Sequence, residues 1–371
     1  MRSVPAAPTF TATPCPGSPR RRSAKALAGL AGLAGLAGLA VLTGILVAGC
    51  SAIAAPATST PAVTPAPLVS PAPSPSPLPS PEFTPAPPSD PPAGSFPMEL
   101  TDDEGTVVSL AHPPARIVSL SPAITETLFA LGAGAKVVGG TEADDFPAEA
   151  KALPDVASFT GVSIEAVVAA RPDVIIAGGN GLTPPADIEK LRSLGLSVVV
   201  VYAGSVDAVL RDISLIGTIA GQDAAAAQLV GAMKSRIDEL SAAAKAAGST
   251  PRVFYELDAT KEIYGPAPDS FLTEMIGLAG GDPITSGDPA VWAVSLERLI
   301  DADPEVIILG DANYGMTPEA VKSRPGWAGM SAVKAGAIRP VDDTVVTRPG
   351  PRIVAGLEAL VKAIHPDLEL P

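Results

Sequence analysis

The chain of 371 residues has two cysteines, two histidines and only 4% aromatic side chains. Two cysteines cannot build a disulfide framework, and they cannot supply a Cys/His metal cluster. His112 and His365 stand far apart, each beside a proline, and both are expected at the surface. Ser121 lies outside any G-x-S-x-G context, and no histidine motif supports a triad. These absences argue against an enzyme. Positive charge is also in deficit: 25 Lys and Arg face 39 Asp and Glu, a formal charge of −14. That balance disfavours a nucleic-acid partner and suits an acidic surface docking onto a basic one. The acid pairs Asp144-Asp145 and Asp342-Asp343 read as solvated loop charges.

What is present falls into two parts. Arg20, Arg21, Arg22 and Lys25 precede an apolar run from Ala26 to Ala48, which ends Val47-Ala48-Gly49-Cys50. This is the pattern of a secretory signal, and Cys50 after Ala-Gly resembles the lipobox of bacterial lipoproteins. The resemblance implies cleavage after Gly49, acylation of Cys50 and an extracytoplasmic protein anchored to the cell membrane through that lipid. The run is also long enough to span a bilayer uncleaved, although its Ala-Gly-Leu repetition is weakly apolar. Loss of residues 1–49 removes Cys15 and five positive charges, which leaves one cysteine and a formal charge of −19. Residues 51–97 hold 16 prolines and two charges, Glu82 and Asp90. Such a segment buries little and favours extended conformations, so residues 50–97 read as a tether.

Beyond the tether, a sixteen-residue phrase occurs twice. Val162 to Ala177 reads VSIEAVVAARPDVIIA, and Val294 to Leu309 reads VSLERLIDADPEVIIL, with half the positions identical. Each copy has the pattern of a short capped helix, a turn and a buried strand, so two lobes built alike are expected. Around the copies, strands are expected at Arg116–Leu120, Val137-Val138, Ser197–Tyr202, Pro251–Asp258 and Ile338–Val341. Helices are expected from Pro122 with a Ser121 side-chain cap, at Pro185–Leu194, Ser270–Ala279 and Thr317–Ser323, and at Pro351–Ile364. Strands alternating with helices at this spacing indicate parallel βαβ units. Residues 99–112 suggest a hairpin turning at Asp102–Gly105. Residues 205–247 have helical composition broken only by Gly217, Gly221 and Gly231, and a helix of about 25 residues there would span about 38 Å.

With these features together, the chain resembles the class III substrate-binding proteins of ABC importers, the receptors for cobalamin, ferric siderophores and haem. The likeness runs from about Met98 to His365. It is carried by RIVSLSPAITETLFALG, FPAEAKALPDV, FTGVSIEAVVAARPDVIIAGG, the Trp292-Ala-Val-Ser-Leu-Glu stretch and RPGPRIVAGLEALVKAIHP. The cobalamin-binding branch fits best, through the PEAKALP-like segment, Phe159 and the Trp292-to-Glu297 segment. The resemblance implies an α/β fold of two Rossmann-like lobes, 98–204 and 249–371, joined by a long interlobe helix within 205–248. It implies a monomer without a cofactor of its own that delivers a corrinoid, or alternatively a ferric siderophore or haem, to a permease and ATPase complex. A chelatase-like enzyme and an envelope interaction protein remain as readings from other classes.

Phe159 and Trp292, each just before a copy of the phrase, are placed to flank an interlobe ligand, though each could equally cap its own lobe's core. Arg348 matches a basic cleft position of the family, whereas Arg352 reads as structural. Asn180, Tyr255 and Tyr314 are further contact candidates. Gly178-Gly179-Asn180-Gly181 lacks the Lys-Ser/Thr of a phosphate loop. Where cobalamin receptors carry further aromatics this chain has Ala143 and Gly178, departures that either count against a corrinoid or imply a roomier pocket. Glu165 and Glu297 sit two residues after Ser163 and Ser295, in the first turn of their helices. A carboxylate there stabilises the helix dipole by roughly 0.3–1 kcal/mol and needs no further role. The resemblance implies that this pair docks onto arginines of the two permease subunits.

Overall fold

A computed structural model describes residues 96–371. The leader, Cys50 and the proline-rich segment as far as residue 95 lie outside the described residues, so the expected anchor and tether are not visible. Strands β1 (Met98–Thr101) and β2 (Val107–Leu110) form the expected antiparallel hairpin. Its turn is organised by the buried Asp102. One carboxylate oxygen accepts from the backbone of Glu104 (3.1 Å) and Thr106 (2.7 Å). The other accepts from Arg192 (2.8 Å) and the Val200 N–H (3.2 Å), which pins the hairpin to the first lobe.

The first lobe runs β3 (Ile117–Ser119), α1 (Pro122–Ala130), β4 (Val137–Thr141), β5 (Asp155–Ser158), β6 (Gly161–Val162), α2 (Ile164–Ala170), β7 (Val174–Gly178), α3 (Pro185–Ser193) and β8 (Val198–Val201). Its six strands lie in the order β6-β5-β4-β3-β7-β8, all parallel except the short β6. Ser121 stands at the N-cap of α1 but makes no side-chain cap bond, contrary to expectation. The Ile124 N–H, which such a cap would take up, bonds instead to the Ser121 backbone carbonyl at 3.1 Å.

The connecting region holds two helices, α4 (Val206–Ala220) and α5 (Asp223–Ala246), of which α5 is the long helix expected there. Gly221, with φ 69°, closes α4 in the left-handed conformation that glycine adopts without strain. Gly217 then lets Ala226 of α5 approach so closely that an added Cβ would collide with it. The 24 residues of α5 span about 36 Å.

The second lobe runs β9 (Arg252–Glu256), α6 (Phe271–Leu278), β10 (Asp282–Pro283), α7 (Leu296–Ala302), β11 (Val306–Leu309), α8 (Pro318–Lys322), α9 (Ser331–Ala335), β12 (Ile338–Pro340), α10 (Asp343–Val346) and α11 (Ile353–Ile364). Its parallel strands lie in the order β10-β9-β11-β12. His365, expected at the surface, is buried where the end of α11 packs over Gly280.

The repeated phrase is the same object twice. Ser163 caps α2 by accepting the Ala166 N–H, and Ser295 caps α7 by accepting the Arg298 N–H. Both helices end on a left-handed non-glycine residue before proline, Arg171 (φ 47°) and Asp303 (φ 44°). An arginine at the head of each lobe's first strand holds that turn. Arg116 Nε donates to the carbonyls of Ala170 and Arg171, and Arg252 Nε to those of Ala302 and Asp303. The acid of each Pro-acid pair completes the clamp, because Asp173 and Glu305 accept the backbone N–H of Arg116 and Arg252.

Period-two alternation along the strands divides the core into layers. Val174 and Ile176 of β7, and Val306 and Ile308 of β11, face one hydrophobic core that continues through α4 and α5 into both lobes. Ile175 and Ala177 face an outer layer of the first lobe, and Ile307 and Leu309 an outer layer of the second. The lobes therefore share their packing.

Candidate functional site

A cavity of about 500 Å³ opens between the lobes, within the range of small-molecule sites. The first lobe contributes Ser121 after β3, Gly178 to Leu182 after β7, and Tyr202 and Ala203 after β8. The second contributes Leu257 after β9, Phe271 of α6, Trp292, Thr347 and Pro349, and α4 supplies Asp212, Ile213 and Ile216. Loops at the carboxyl ends of parallel strands are where open α/β sheets bind ligands. The walls are mostly apolar, with Tyr202 and Trp292 presenting a half-exposed ring from each lobe.

The expected contact residues divide. Trp292 and Asn180 line the cavity. Asn180 adopts a left-handed backbone (φ 54°), and its Nδ2 donates to the Tyr202 hydroxyl at 3.0 Å, so it orients that ring. Phe159 is 92% exposed and Tyr314 83% exposed. Neither lines the cavity; each follows a strand, β5 and β11, at the edge of the sheet that carries the cavity.

Tyr255 is not a ligand contact: it is fully buried, and its hydroxyl donates to Asp343 at 2.8 Å. Burial, and then the Asp343 carboxylate, push its hydroxyl pKa far up, so it stays a neutral core donor. The alternation of β9 turns this side chain inward.

Arg348 is likewise engaged within the protein. Its guanidinium reaches across to the first lobe and donates to Glu126 of α1 (3.1 Å) and to Asp145, while its neighbours Thr347 and Pro349 line the cavity. Arg352 joins the same network, donating twice to Glu126 (2.8 and 2.6 Å) and stacking on Phe146 at 4.5 Å. Glu126 is 3% exposed, so one buried carboxylate holds two guanidinium groups of the other lobe. Burial alone would raise the Asp145 carboxyl, but the hydrogen bond and charge of Arg348, with Arg352 behind, hold it below its ordinary range.

The acid pairs are therefore structural rather than merely solvated. Asp144 is buried and accepts from Thr125 (2.7 Å) and Thr141 (2.7 Å). Asp342 caps α10 by accepting the Thr344 N–H. Among the described residues no group of three or more His, Cys, Asp and Glu is placed to hold a metal ion.

Glu165 and Glu297 are exposed in the first turns of α2 and α7. Each helix runs back toward the start of a parallel strand, β7 or β11. Its N-terminus therefore lies at the edge that carries the cavity, and the two carboxylates stand there one per lobe.

Sequence reasoning missed Tyr202, Phe271 and Asp212. Asp212 had a signal, being a lone acid on the apolar stripe of α4. Tyr202 ended an apolar strand and had none.

A family profile described as periplasmic binding protein matches residues 117–344. A Bacillus subtilis protein named as the uncharacterized ABC transporter substrate-binding lipoprotein YvrC is 33% identical over 276 residues, covering 73% of this chain and 87% of the relative. Among solved structures, the periplasmic vitamin B12 binding protein BtuF of Vibrio cholerae superposes with a TM-score of 0.60 at 26% identity, over 68% of this chain and 97% of that one. The periplasmic heme-binding protein RhuT from Roseiflexus sp. RS-1 does so with a TM-score of 0.60 at 26% identity, over 67% and 98%.

Proposed function

The chain belongs to the periplasmic binding protein family, and from that membership we propose that it captures a corrinoid between its lobes and delivers it to an ABC importer. The observation that carries this reading is the interlobe cavity, with apolar walls and a half-exposed aromatic ring from each lobe, Tyr202 and Trp292, at the carboxyl edges of both sheets. A flat, largely apolar macrocycle with polar substituents suits walls of that kind. The likeness to the vitamin B12 binding protein BtuF supports the cargo. Binding needs no covalent chemistry. The protein acts as a monomer, tethered through acylated Cys50, and Glu165 and Glu297 meet arginines of the permease.

One observation favours haem as a second reading. Tyr202 places a hydroxyl in the cavity, and a tyrosine can ligate haem iron. Titration of the purified protein with cyanocobalamin, cobinamide, ferric siderophores and haem separates the two. Saturable quenching of tryptophan fluorescence by both corrinoids is expected. Saturation by haem with a shifted Soret band that is lost in Tyr202→Phe, and no corrinoid binding, would replace the first reading with the second.

A further inference from the structure

Asp212 lies halfway along α4 in a place built for a hydrocarbon. Val209, Asp212, Ile213 and Ile216 follow the spacing of one helix face, and Val209, Ile213 and Ile216 are buried in the shared core. Asp212 is 6% exposed and lines the cavity beside Thr127, Ile213 and Ile216. Its Oδ1 accepts no hydrogen bond from a donor group among the described residues; only the Asp103 carboxyl lies close enough to share a proton with the Asp212 carboxyl. The nearest cation, the Arg211 guanidinium, lies 3.8 Å away, beyond hydrogen-bond reach, and also faces Asp103 at 3.5 Å. A buried polar atom left without a partner costs about 1–3 kcal/mol. A carboxyl in the lining of a ligand cavity that receives no hydrogen bond from a donor of the protein points to the cargo as that donor.

We propose that Asp212 selects the cargo: it pairs with a neutral amide at the periphery of a corrinoid and turns away cargo that presents a carboxylate there. This rests on the corrinoid reading and deepens it. The charged groups facing Asp212 are Asp103, from the turn between β1 and β2, and Arg211 on its own helix. The other elements packed against α4 bring two carboxylates to its ends, Glu274 of α6, which accepts the Val206 N–H at 2.8 Å, and Asp223 of α5, which accepts the Thr218 hydroxyl at 2.7 Å; beside Asp212 in the cavity lining they bring Ile124 and Thr127 of α1 and Phe271 and Leu272 of α6. Asp103 is held in place by accepting the Tyr202 N–H at 2.6 Å.

Burial, and after it the Asp103 carboxylate, push the Asp212 carboxyl up to about 7. Near neutrality both of its forms are therefore populated. A primary amide carries donors and an acceptor, so it pairs with the ionised and the protonated form alike. A cargo carboxylate pairs only with the protonated form and is repelled by the ionised one. Discrimination against acids should accordingly rise with pH. At pH 8.5 a carboxyl titrating near 7 is about 3% protonated, so a ligand that needs the proton loses about 30-fold in affinity.

The test measures dissociation constants at pH 5.5, 7 and 8.5 for cyanocobalamin and for its three monocarboxylic acids, each with one propionamide hydrolysed. These acids are already ionised across that range. At least one acid should approach the parent at pH 5.5 and fall about 30-fold behind it at pH 8.5. Asp212→Asn should flatten that pH dependence. Asp103→Asn, which removes a neighbouring negative charge, should move its midpoint to lower pH. A constant ratio for all three acids, a pH dependence that persists in folded Asp212→Asn, or an unmoved midpoint in Asp103→Asn would overturn the selector. Should Asp212→Asn fail to fold by circular dichroism, the Asp103→Asn midpoint decides alone. Cyanocobalamin that does not bind at any pH defeats the corrinoid reading and the selector together, whereas cyanocobalamin that binds with a flat ratio defeats only the selector.

Discussion

Asp311 and Glu256 are buried at the carboxyl ends of neighbouring strands in the second lobe. Glu256 is matched by the two-pronged guanidinium of Arg324, which also stacks on Trp327 at 4.6 Å. Neither carboxylate oxygen of Asp311 accepts from a donor group among the described residues, and its carboxyl lies within hydrogen-bond reach of Glu256. Burial, and then the charge of Glu256, push its carboxyl up to about 7. The folded state therefore holds a proton that the unfolded chain releases near pH 4. Its contribution to stability is complete below about pH 4 and is lost as pH rises through about 7. Asp311→Asn should leave the melting temperature almost unchanged at pH 4 and raise it by roughly 3–8 °C at pH 8. Equal shifts at both pH values would show that Asp311 does not titrate in this window. Nothing in the local sequence Leu-Gly-Asp-Ala marks this residue as buried, because its burial comes from β9 and Arg324, which are distant in the chain.

Between elements, the contact that most clearly joins the lobes is Glu126 of α1 with Arg348 and Arg352 before α11. Removing one side of a buried ion pair leaves the other charge uncompensated, at about 3–5 kcal/mol. Glu126→Ala should cost that much in chemical denaturation, because two guanidinium groups lose their acceptor. Asp145 is half exposed, so Asp145→Ala should cost no more than about 1 kcal/mol. Similar costs for the two variants would place the strength of the contact elsewhere. The sequence marked Arg348 as a basic cleft group, but the pairing spans 222 positions and depends on how the lobes face each other. The clamps at Arg116 and Arg252 show the same limit. The repeated phrase is visible by alignment, whereas the arginine that grips each copy sits in a match too short to notice.

For the whole molecule, the shared core through α4 and α5 limits how far the lobes can part, since wide opening would expose the apolar faces of both sheets. Cargo capture is then expected with small lobe movements. Reversing charge at both Glu165 and Glu297 to lysine should abolish uptake in cells while leaving cargo affinity within about twofold, since both side chains are exposed and outside the cavity lining. Uptake that survives in the double variant would remove the docking role, and lost affinity in a folded double variant would reassign the pair to the cargo site. Local periodicity along the chain was enough to set the hairpin, the alternation of strand and helix, the caps on α2 and α7, and the duplication into two lobes. Which polar groups face the cavity was settled by the packing of the folded chain. It put Tyr255 in the core and Arg348 in an ion pair across the lobes, and it set Tyr202 and Asp212 in the cavity lining. The reason is physical: backbone patterns are set by neighbours along the chain, whereas the partner of a buried polar side chain is set by elements that meet only after folding.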